Sequence, residues 1–231
     1  MKTPSSAVNV PPRRHVKVLG GQGWIGLVAS MGTEATIVNA ARVSFGKAVT
    51  TMGPRDVMLL KYLVEHRHSS PLEHVAFTFI VHCPLFVRSQ WHRHRTWSYN
   101  EISRRYTEVD IGFYVPPQVR GQSGDNRQAS EDALAAGAQR RARAAIRAAN
   151  MTSLKAFNEL VAAGVCREQA RGVLSQNLMT TFWATVDLAN LVRFLSLRDH
   201  ESAQWEIRQY AQAIKRLIRP LVPNVADVFG W

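Results

Sequence analysis

The segment from Arg93 to Tyr106 has the sequence Arg-His-Arg-Thr-Trp-Ser-Tyr-Asn-Glu-Ile-Ser-Arg-Arg-Tyr. It combines four arginines with a histidine, a carboxylate, an amide and three aromatic side chains. A hydrophobic core does not suit this mixture, because every buried polar group needs a hydrogen-bond partner. A purely solvated surface does not need Trp97 and Ile102 within the segment. Arginine forks suit phosphates and aromatic faces suit planar rings, so the segment predicts a site for an anionic, planar ligand.

Composition limits the classes of protein that the chain can represent. Its 231 residues allow one large domain or two small ones, and the hydrophobic content of 46% is enough for a core. The net charge of +12 favours partners that carry phosphate, whether nucleic acid, nucleotides or a membrane surface. Part of that charge lies at 139–147 on a predicted amphipathic helix, where a surface role is favoured. No apolar run reaches the roughly 18 residues of a membrane span, so no membrane partner is expected.

The start of the chain and the cysteines point to the cytoplasm. Residues 1–14 contain proline and serine and lack the apolar region of a secretory signal, so they are predicted to be a disordered lead-in. A single domain is expected at 15–231. Two cysteines, Cys83 and Cys166, do not make a disulfide framework.

Hydrophobic periodicity predicts an α+β protein in which helices are in the majority. Glycines at 20–26 are interpreted as a turn, 98–107 as a polar loop with helical turns, and 116–128 as a surface loop. Ser130 is expected to cap a long helix. The predicted strands are 16–19, 75–81 and 112–115, and the predicted helices are 33–43, 56–66, 85–94, 130–163, 167–174, 186–197 and 202–221.

The spacing of Gln90, Arg93, His94 and Trp97 places all four on one face of the predicted 85–94 helix and its extension. That face would present an amide, a cation and an imidazole. Neighbouring aromatic residues such as Trp91 indicate burial, which favours a functional site over a solvated stripe.

A metal site competes with this interpretation and is not expected. His66, His68 and His74 lie close together in the sequence, and His92 and His94 form a second pair. The arginines that flank these histidines would repel a dication.

Cysteine catalysis and nucleic-acid binding also compete with a nucleotide site. Cys83 precedes Pro84 at a strand-to-helix junction, where a thiol can be activated, but a buried inert thiol is favoured. Arginines and aromatics could also bind nucleic acid. No helix-turn-helix, zinc-finger or RNP pattern is present in the sequence. The compact segment suits a nucleotide-sized pocket, so no nucleic-acid partner is expected and nucleic-acid binding is a remote alternative.

Arg93-His94-Arg95, followed by seven residues and Ser103, resembles the signature of the flavin-dependent thymidylate synthases. The resemblance extends over about residues 33 to 215. The further elements that carry it are Ala-Ala-Arg-Val-Ser at 40–44, His-Ser-Ser-Pro-Leu-Glu-His at 68–74, Arg-Glu-Gln-Ala-Arg at 167–171 with Leu174, Phe-Leu-Ser-Leu-Arg at 194–198 and Ala-Gln-Trp-Glu-Ile at 203–207.

The resemblance implies a single-domain α+β fold, with a mixed or antiparallel central sheet flanked by long helices. It implies a methyltransferase that binds FAD and makes dTMP from dUMP, with methylenetetrahydrofolate and NADPH as cosubstrates. It also implies a homotetramer in which each active site is shared between subunits.

The resemblance further assigns roles to individual residues. Arg198 would be catalytic, because it would polarise the uracil and favour the enolate-like form that exposes carbon 5. The implied substrate-binding residues are Gln90, Arg93, Glu101, Ser103, Arg104, Arg105, Arg171 and Arg198. The implied cofactor-binding residues are His68, Ser70, Arg93, His94, Arg95, Glu101, Asp187 and Arg193. No metal ligand is implied.

The chain departs from the family pattern in the helix expected to contact the flavin. Asp187-Leu188-Ala189 stands where the family usually has an Asn-x-Arg pair, and Arg193 stands where it often has an asparagine. An aspartate beside a flavin diphosphate is unfavourable unless a cation such as Arg193 offsets it. These departures leave open a relative that methylates UMP rather than dUMP, as in nucleoside-antibiotic pathways.

Overall fold

A computed structural model describes residues 15–109, 111–126 and 130–231. The predicted lead-in at 1–14 lies outside this range. The strands are β1 (His15–Val18), β2 (Gly23–Met31), β3 (Ala76–Pro84), β4 (Ser98–Glu101), β5 (Arg120–Gln122), β6 (Ser130–Ala133) and β7 (Met179–Asp187). The helices are α1 (Glu34–Arg42), α2 (Pro54–Glu65), α3 (Ser69–Leu72), α4 (Leu85–Trp91), α5 (Ala136–Ala162), α6 (Arg167–Ala170), α7 (Leu188–Arg198), α8 (Trp205–Ile218) and α9 (Pro223–Phe229).

Five strands form an antiparallel sheet in the order β1-β2-β3-β7-β4. The centre of the sheet is the pair β3 and β7, which are in register from Ala76 opposite Asp187 to Pro84 opposite Met179. Both strands are rich in aromatic and β-branched residues, which fit a pleated and largely buried surface. The predicted α+β class and the antiparallel sheet are confirmed.

The core lies between this sheet and helices α4, α7 and α8. Trp91 at the end of α4 is fully buried and lies at its centre. Its ring centroid is 5.5 Å from that of Phe182 on β7, 4.9 Å from Phe194 on α7 and 5.8 Å from Tyr210 on α8. Aromatic pairs at these separations stabilise a fold beyond the area that they bury. Trp91 therefore fixes where α4 ends relative to α7.

Strands β2, β4 and β7 are the main differences from the sequence prediction. The glycines interpreted as a turn lie partly within β2. Gly23 is needed there, because a Cβ at this position would collide with the hydroxyl of Tyr210, which donates to the carbonyl of His82 at 2.7 Å. Residues 98–101 form an edge strand instead of a loop, and β7 lies in a stretch for which mostly no element was predicted.

Several helix boundaries also differ. The prediction that Ser130 caps a long helix is wrong, because Ser130 lies in β6 and α5 begins at Ala136. The helix predicted at 186–197 begins two residues later, and Asp187 is its N-cap. The predicted 167–174 helix is the short α6 followed by a 3-10 turn at 171–173. The strand predicted at 112–115 is reduced to an isolated bridge between Phe113 and Leu178.

Candidate active site

The segment from Arg93 to Tyr106 follows α4 and contains the edge strand β4. The prediction that Gln90, Arg93, His94 and Trp97 share one helix face is wrong, because α4 ends at Trp91. Gln90 lies in the last turn of the helix, whereas the other three follow it. Trp97 is buried, with its ring centroid 5.0 Å from that of Phe194 on α7. Core packing, rather than helical periodicity, therefore directs this turn towards α7.

Arg198, the last residue of α7, lies against that turn. Its Nε donates a hydrogen bond to Nε2 of His94 at 3.0 Å, and its Nη2 donates to the carbonyl oxygen of Gln90 at 3.2 Å. Both acceptors are neutral groups. Among the residues that the structure describes, Arg198 forms no ion pair with a carboxylate. Its positive charge is therefore held in place without being cancelled.

His94 is neutral in this arrangement. Burial, together with the charge of Arg198, lowers the pKa of His94 to about 4. Since Nε2 accepts the bond from Arg198, the ring proton of the neutral imidazole lies on Nδ1. Burial also lowers the pKa of Arg198, but a guanidinium keeps its proton at neutral pH. The pair consists of a permanent cation and a neutral acceptor.

A polar chain continues from Gln90 into α8. The side-chain amide of Gln90 donates to Oε1 of Gln204, whose own amide donates to Oε2 of Glu206 at 2.9 Å. Glu206 is buried and pairs with Arg120. Sequence reasoning noted Gln204 and Glu206 only as members of a motif. The contact between Gln204 and Gln90 spans 114 positions in the chain, so no local spacing could reveal it.

Glu101 lies at the end of β4, opposite Phe182 of β7. Its Oε1 accepts hydrogen bonds from Nε of Arg88 at 3.1 Å and from the hydroxyl of Thr180 at 2.7 Å. The sequence did not indicate Arg88 or Thr180. Together they fix the orientation of the carboxylate at the edge of the sheet.

The chain after β4 brings further predicted residues next to α6. Arg105 lies 3.3 Å from Glu168 in an exposed ion pair, and its backbone N–H donates to the hydroxyl of Ser103. Arg171 follows α6 directly and is exposed. Arg105 and Arg171 thus lie on adjoining segments. Arg104 differs from both, since its buried guanidinium donates to main-chain carbonyls such as that of Met179, which is a structural role.

A groove of about 830 Å³ lies on another side of α7. Its lining includes Arg67 and His68 beside α3, Ala189 and Arg193 on α7, and Phe229 on α9. It combines two arginines and one carboxylate, that of Glu65, with apolar walls, and the excess of cations suits an anionic, partly aromatic ligand. Ser70 lies on α3 next to Ser69, which also lines the groove.

Asp187 forms the N-cap of α7 beside the groove. Its carboxylate accepts from the backbone N–H of Asn190 at 2.9 Å and from the side-chain amide of the same residue at 2.6 Å. The carbonyl oxygen of that amide in turn lies 3.5 Å from Nη1 of Arg193. Asp187 therefore stabilises the start of the helix and holds Asn190 near Arg193.

The predicted cofactor residues and substrate residues are only partly brought together. His68 and Arg193 share the groove, whereas none of the predicted substrate residues lines it. Arg93 and Arg95 are exposed and, within the described ranges, form no ion pair. Helix α7 connects the two regions, because it carries Arg193 at the groove and Arg198 at its far end.

Other kinds of site find little support in the described part of the chain. No group of three or more His, Cys, Asp or Glu side chains there could hold a metal ion. No helix found there is both long enough and apolar enough to span a bilayer. Cys83 is buried, and burial raises the pKa of its thiol well above the ordinary value, so the thiol is protonated and inert.

Comparisons with known proteins agree on one family. The family model described as "Thymidylate synthase complementing protein" matches residues 26–224. A flavin-dependent thymidylate synthase of Thermus thermophilus is 46% identical over 202 residues, which cover 87% of this chain and 73% of that protein. The enzyme of the same name from Thermosipho africanus is 40% identical over 208 residues, which cover 90% of this chain and 91% of that protein.

Solved structures give the same result for the fold. The UMP/dUMP methylase PolB from Streptomyces cacaoi, bound with 5-Br dUMP, superposes with a TM-score of 0.81 at 30% sequence identity, covering 90% of this chain and 94% of that one. The same protein bound with 5-Br UMP also gives a TM-score of 0.81, at 31% identity.

Proposed function

The chain belongs to the flavin-dependent thymidylate synthase family, and from this premise we propose that it methylates carbon 5 of the uracil of dUMP to give dTMP. Methylenetetrahydrofolate would supply the carbon and NADPH would supply the reducing equivalents. The observation that carries the proposal is Arg198, a half-buried cation held by two neutral acceptors, His94 and the carbonyl of Gln90.

The role of Arg198 follows from its surroundings. Activation of carbon 5 as a nucleophile shifts negative charge towards the N3–O side of the uracil. A fixed donor aimed at developing charge is among the strongest devices in catalysis, and removing one such donor typically costs about 100- to 1,000-fold in rate. A carboxylate partner would weaken this field, and Arg198 has neutral partners instead.

The nucleotide phosphate would be bound by Arg105 and Arg171, with Ser103 adding a neutral hydrogen bond. An exposed ion pair such as that of Arg105 with Glu168 contributes only about 0–1 kcal/mol, so exchanging Glu168 for a phosphate costs little. Phosphate offers stronger charge-assisted bonds. Glu101 is oriented by Arg88 and Thr180 and would contact the nucleotide and the flavin.

Gln90, Arg93 and Arg104 remain predicted substrate contacts. Gln90 and Arg104 have partners within the chain that a nucleotide would have to replace or share. Arg93 is exposed.

The groove beside α7 fits FAD by the chemistry of its lining. Arg67, His68 and Arg193 offer donors for a diphosphate, and Ala189 and Phe229 offer apolar surface. When bound, the flavin would relay the one-carbon unit and the hydride. Further proposed contacts are Ser70, Arg93, His94, Arg95, Glu101 and Asp187.

A site shared between subunits would explain why the predicted cofactor residues and the predicted nucleotide residues lie apart within one chain. In one chain the groove with His68 and Arg193 contains none of the predicted nucleotide-binding residues. Arg93 and Arg95 are exposed and ready to reach a ligand held by another subunit. We therefore propose a homotetramer in which neighbouring subunits complete each site, which size-exclusion chromatography with light scattering would test.

UMP is the alternative substrate, because the chain is similar in structure to a UMP/dUMP methylase. The two nucleotides differ by one ribose hydroxyl, which a site discriminates through one or two polar groups.

The deciding experiment starts with the purified protein, which is tested for bound FAD. Turnover of dUMP and UMP is then compared side by side with methylenetetrahydrofolate and NADPH. We expect a yellow protein that turns over dUMP.

A colourless protein that does not bind added FAD at micromolar concentration would refute the proposal. Turnover of UMP that is higher than turnover of dUMP would show that UMP is the substrate. If neither nucleotide reacts, and a DNA or RNA oligomer binds tightly in a salt-dependent manner, the protein would be a nucleic-acid-binding one.

A further inference from the structure

We propose that Gln204 is a positioning residue for Arg198. With Glu206 behind it, Gln204 fixes Gln90, and through Gln90 it holds the guanidinium of Arg198 against His94. The catalytic consequence of this arrangement rests on the proposed function. The arrangement itself does not.

The orientation of the Gln204 amide is determined by its two partners. A carboxylate only accepts hydrogen bonds, so the NH₂ group of Gln204 must face Glu206, which it contacts at 2.9 Å. Its carbonyl oxygen then faces Gln90 and accepts from the side-chain NH₂ of that residue. A reversed amide would set two donors or two acceptors against each other at both ends.

Glu206 anchors this chain in the core. Its side chain is only 3% exposed and accepts two hydrogen bonds from Nη2 of Arg120, at 2.9 and 3.1 Å. The hydroxyl of Tyr114 lies 3.3 Å from the same carboxylate. A buried carboxylate with this many partners has little freedom to move. The amide of Gln204 is therefore attached to a rigid group.

The other end of the chain reaches Arg198 through Gln90. The side chain of Gln90 is held by Gln204, and its backbone carbonyl accepts from Nη2 of Arg198 at 3.2 Å. This carbonyl lies in the last turn of α4 and also accepts from the backbone N–H of Arg93, at 3.4 Å. Trp91 keeps the end of α4 in the core, so loss of the Gln204 contact would release only the last turn at Gln90 and allow the guanidinium of Arg198 to rotate away from His94.

Such a rotation would affect the chemistry more than the binding. A misplacement of about 1 Å can cost about 100-fold in rate, because the donor no longer points at the developing charge. Gln204 keeps the guanidinium in place and is not expected to touch the nucleotide. Its loss should therefore lower kcat by a larger factor than it raises KM for the nucleotide, because Gln90, a proposed nucleotide contact, also loses its Gln204 partner.

The test replaces Gln204 by methionine, which has a similar length and forms no comparable hydrogen bonds. Gln212→Met is the matched control, because Gln212 is an exposed glutamine on α8, the helix whose N-cap residue is Gln204. We expect Gln204→Met to lower kcat about tenfold. We also expect NMR titration of His94 to show its pKa rising from about 4, because the charge of Arg198 no longer faces the ring, whereas burial, the larger cause, still holds the pKa below the ordinary histidine value. Gln212→Met should change neither quantity.

A double-mutant cycle separates positioning from a general loss of structure. If Gln90→Met acts through the same contact, the double variant Gln90→Met/Gln204→Met should have the kcat of the single variants, rather than a second tenfold loss. Gln90→Met also tests the contact from the other side if Gln204→Met does not fold. An unchanged kcat together with an unchanged His94 titration in either folded variant would overturn the proposal.

The two proposals fail in different ways. If the wild-type protein methylates neither dUMP nor UMP, the proposed function is wrong. The His94 titration still compares the wild type with Gln204→Met in that case. A shift in the variant would keep the positioning role of Gln204, and no shift would remove it.

Discussion

Protonation of His94 should destabilise the folded protein between about pH 6.5 and pH 4. The pKa of His94 is lowered to about 4 by burial and by the charge of Arg198, from an ordinary value of 6.5. At about 1.4 kcal/mol for each pKa unit, this difference corresponds to about 3 kcal/mol of unfolding free energy. His94 is partly exposed, so solvent screening reduces the expected contribution to about 1–2 kcal/mol.

The sign follows from which state binds the proton first. As the pH falls below about 6.5, the unfolded chain takes up a proton at His94, while the folded chain does so only near pH 4. The contribution of His94 to stability is therefore fully present above pH 6.5. It decreases as the pH falls and is lost once the pH has passed through about 4.

The assay is urea unfolding from pH 7.5 to 3.5 at a fixed protein concentration, with wild type and His94→Gln compared. Glutamine can still accept from Arg198 but does not titrate. Other groups titrate in both proteins, so the difference between the two profiles isolates His94. Wild type should lose about 1–2 kcal/mol relative to His94→Gln on acidification. His200→Gln is the control for a histidine-to-glutamine change at an exposed position outside the Arg198–His94 contact. Parallel profiles for wild type and His94→Gln would refute the reasoning.

Three further substitutions test the site and its supports. Arg198→Ala should reduce methyl transfer by at least about 100-fold in a turnover assay, while the absorbance of bound flavin remains; retained activity would remove Arg198 from its role. Arg120→Met leaves the buried carboxylate of Glu206 without its cation, and should lower the urea-derived free energy of unfolding by about 2–4 kcal/mol. A loss below about 0.5 kcal/mol would show that Glu206 does not depend on this pair. Asp187→Ala removes the N-cap of α7 and should cost about 1 kcal/mol in the same assay, whereas an unchanged stability would mean that the cap is dispensable.

The sequence predicted those parts of the fold that local patterns determine. The stretch from Val75 to Val81 was predicted as a buried strand because aromatic and β-branched residues follow one another there, and β3 confirms it. Strand β2 was missed because its glycines resemble a turn. Gly23 is there to admit the hydroxyl of Tyr210, a residue of α8 far along the chain. A close approach of this kind has no local signature.

The same distinction applies to the candidate site. The spacing of Arg93, His94, Arg95 and Ser103 located the segment, and the family comparisons confirm the resemblance on which it was recognised. The spacing did not predict where α4 ends. That end is fixed by Trp91, whose ring packs between residues of β7, α7 and α8. The partners of each site residue depend on such tertiary contacts, so they appear only in the folded chain.

Asp187 shows how a departure from the family pattern can be compatible with the fold. An aspartate in place of asparagine adds a negative charge, but this charge lies at the N-terminus of α7, where the helix dipole and the N–H of Asn190 stabilise it. The cap also holds Asn190 beside Arg193, one of the two arginines among the groove residues. Because α7 carries Arg198 at its other end, the same cap supports both the groove and the cation next to His94. The substitution thus changes the charge at the edge of the groove and keeps the helix on which both arginines depend.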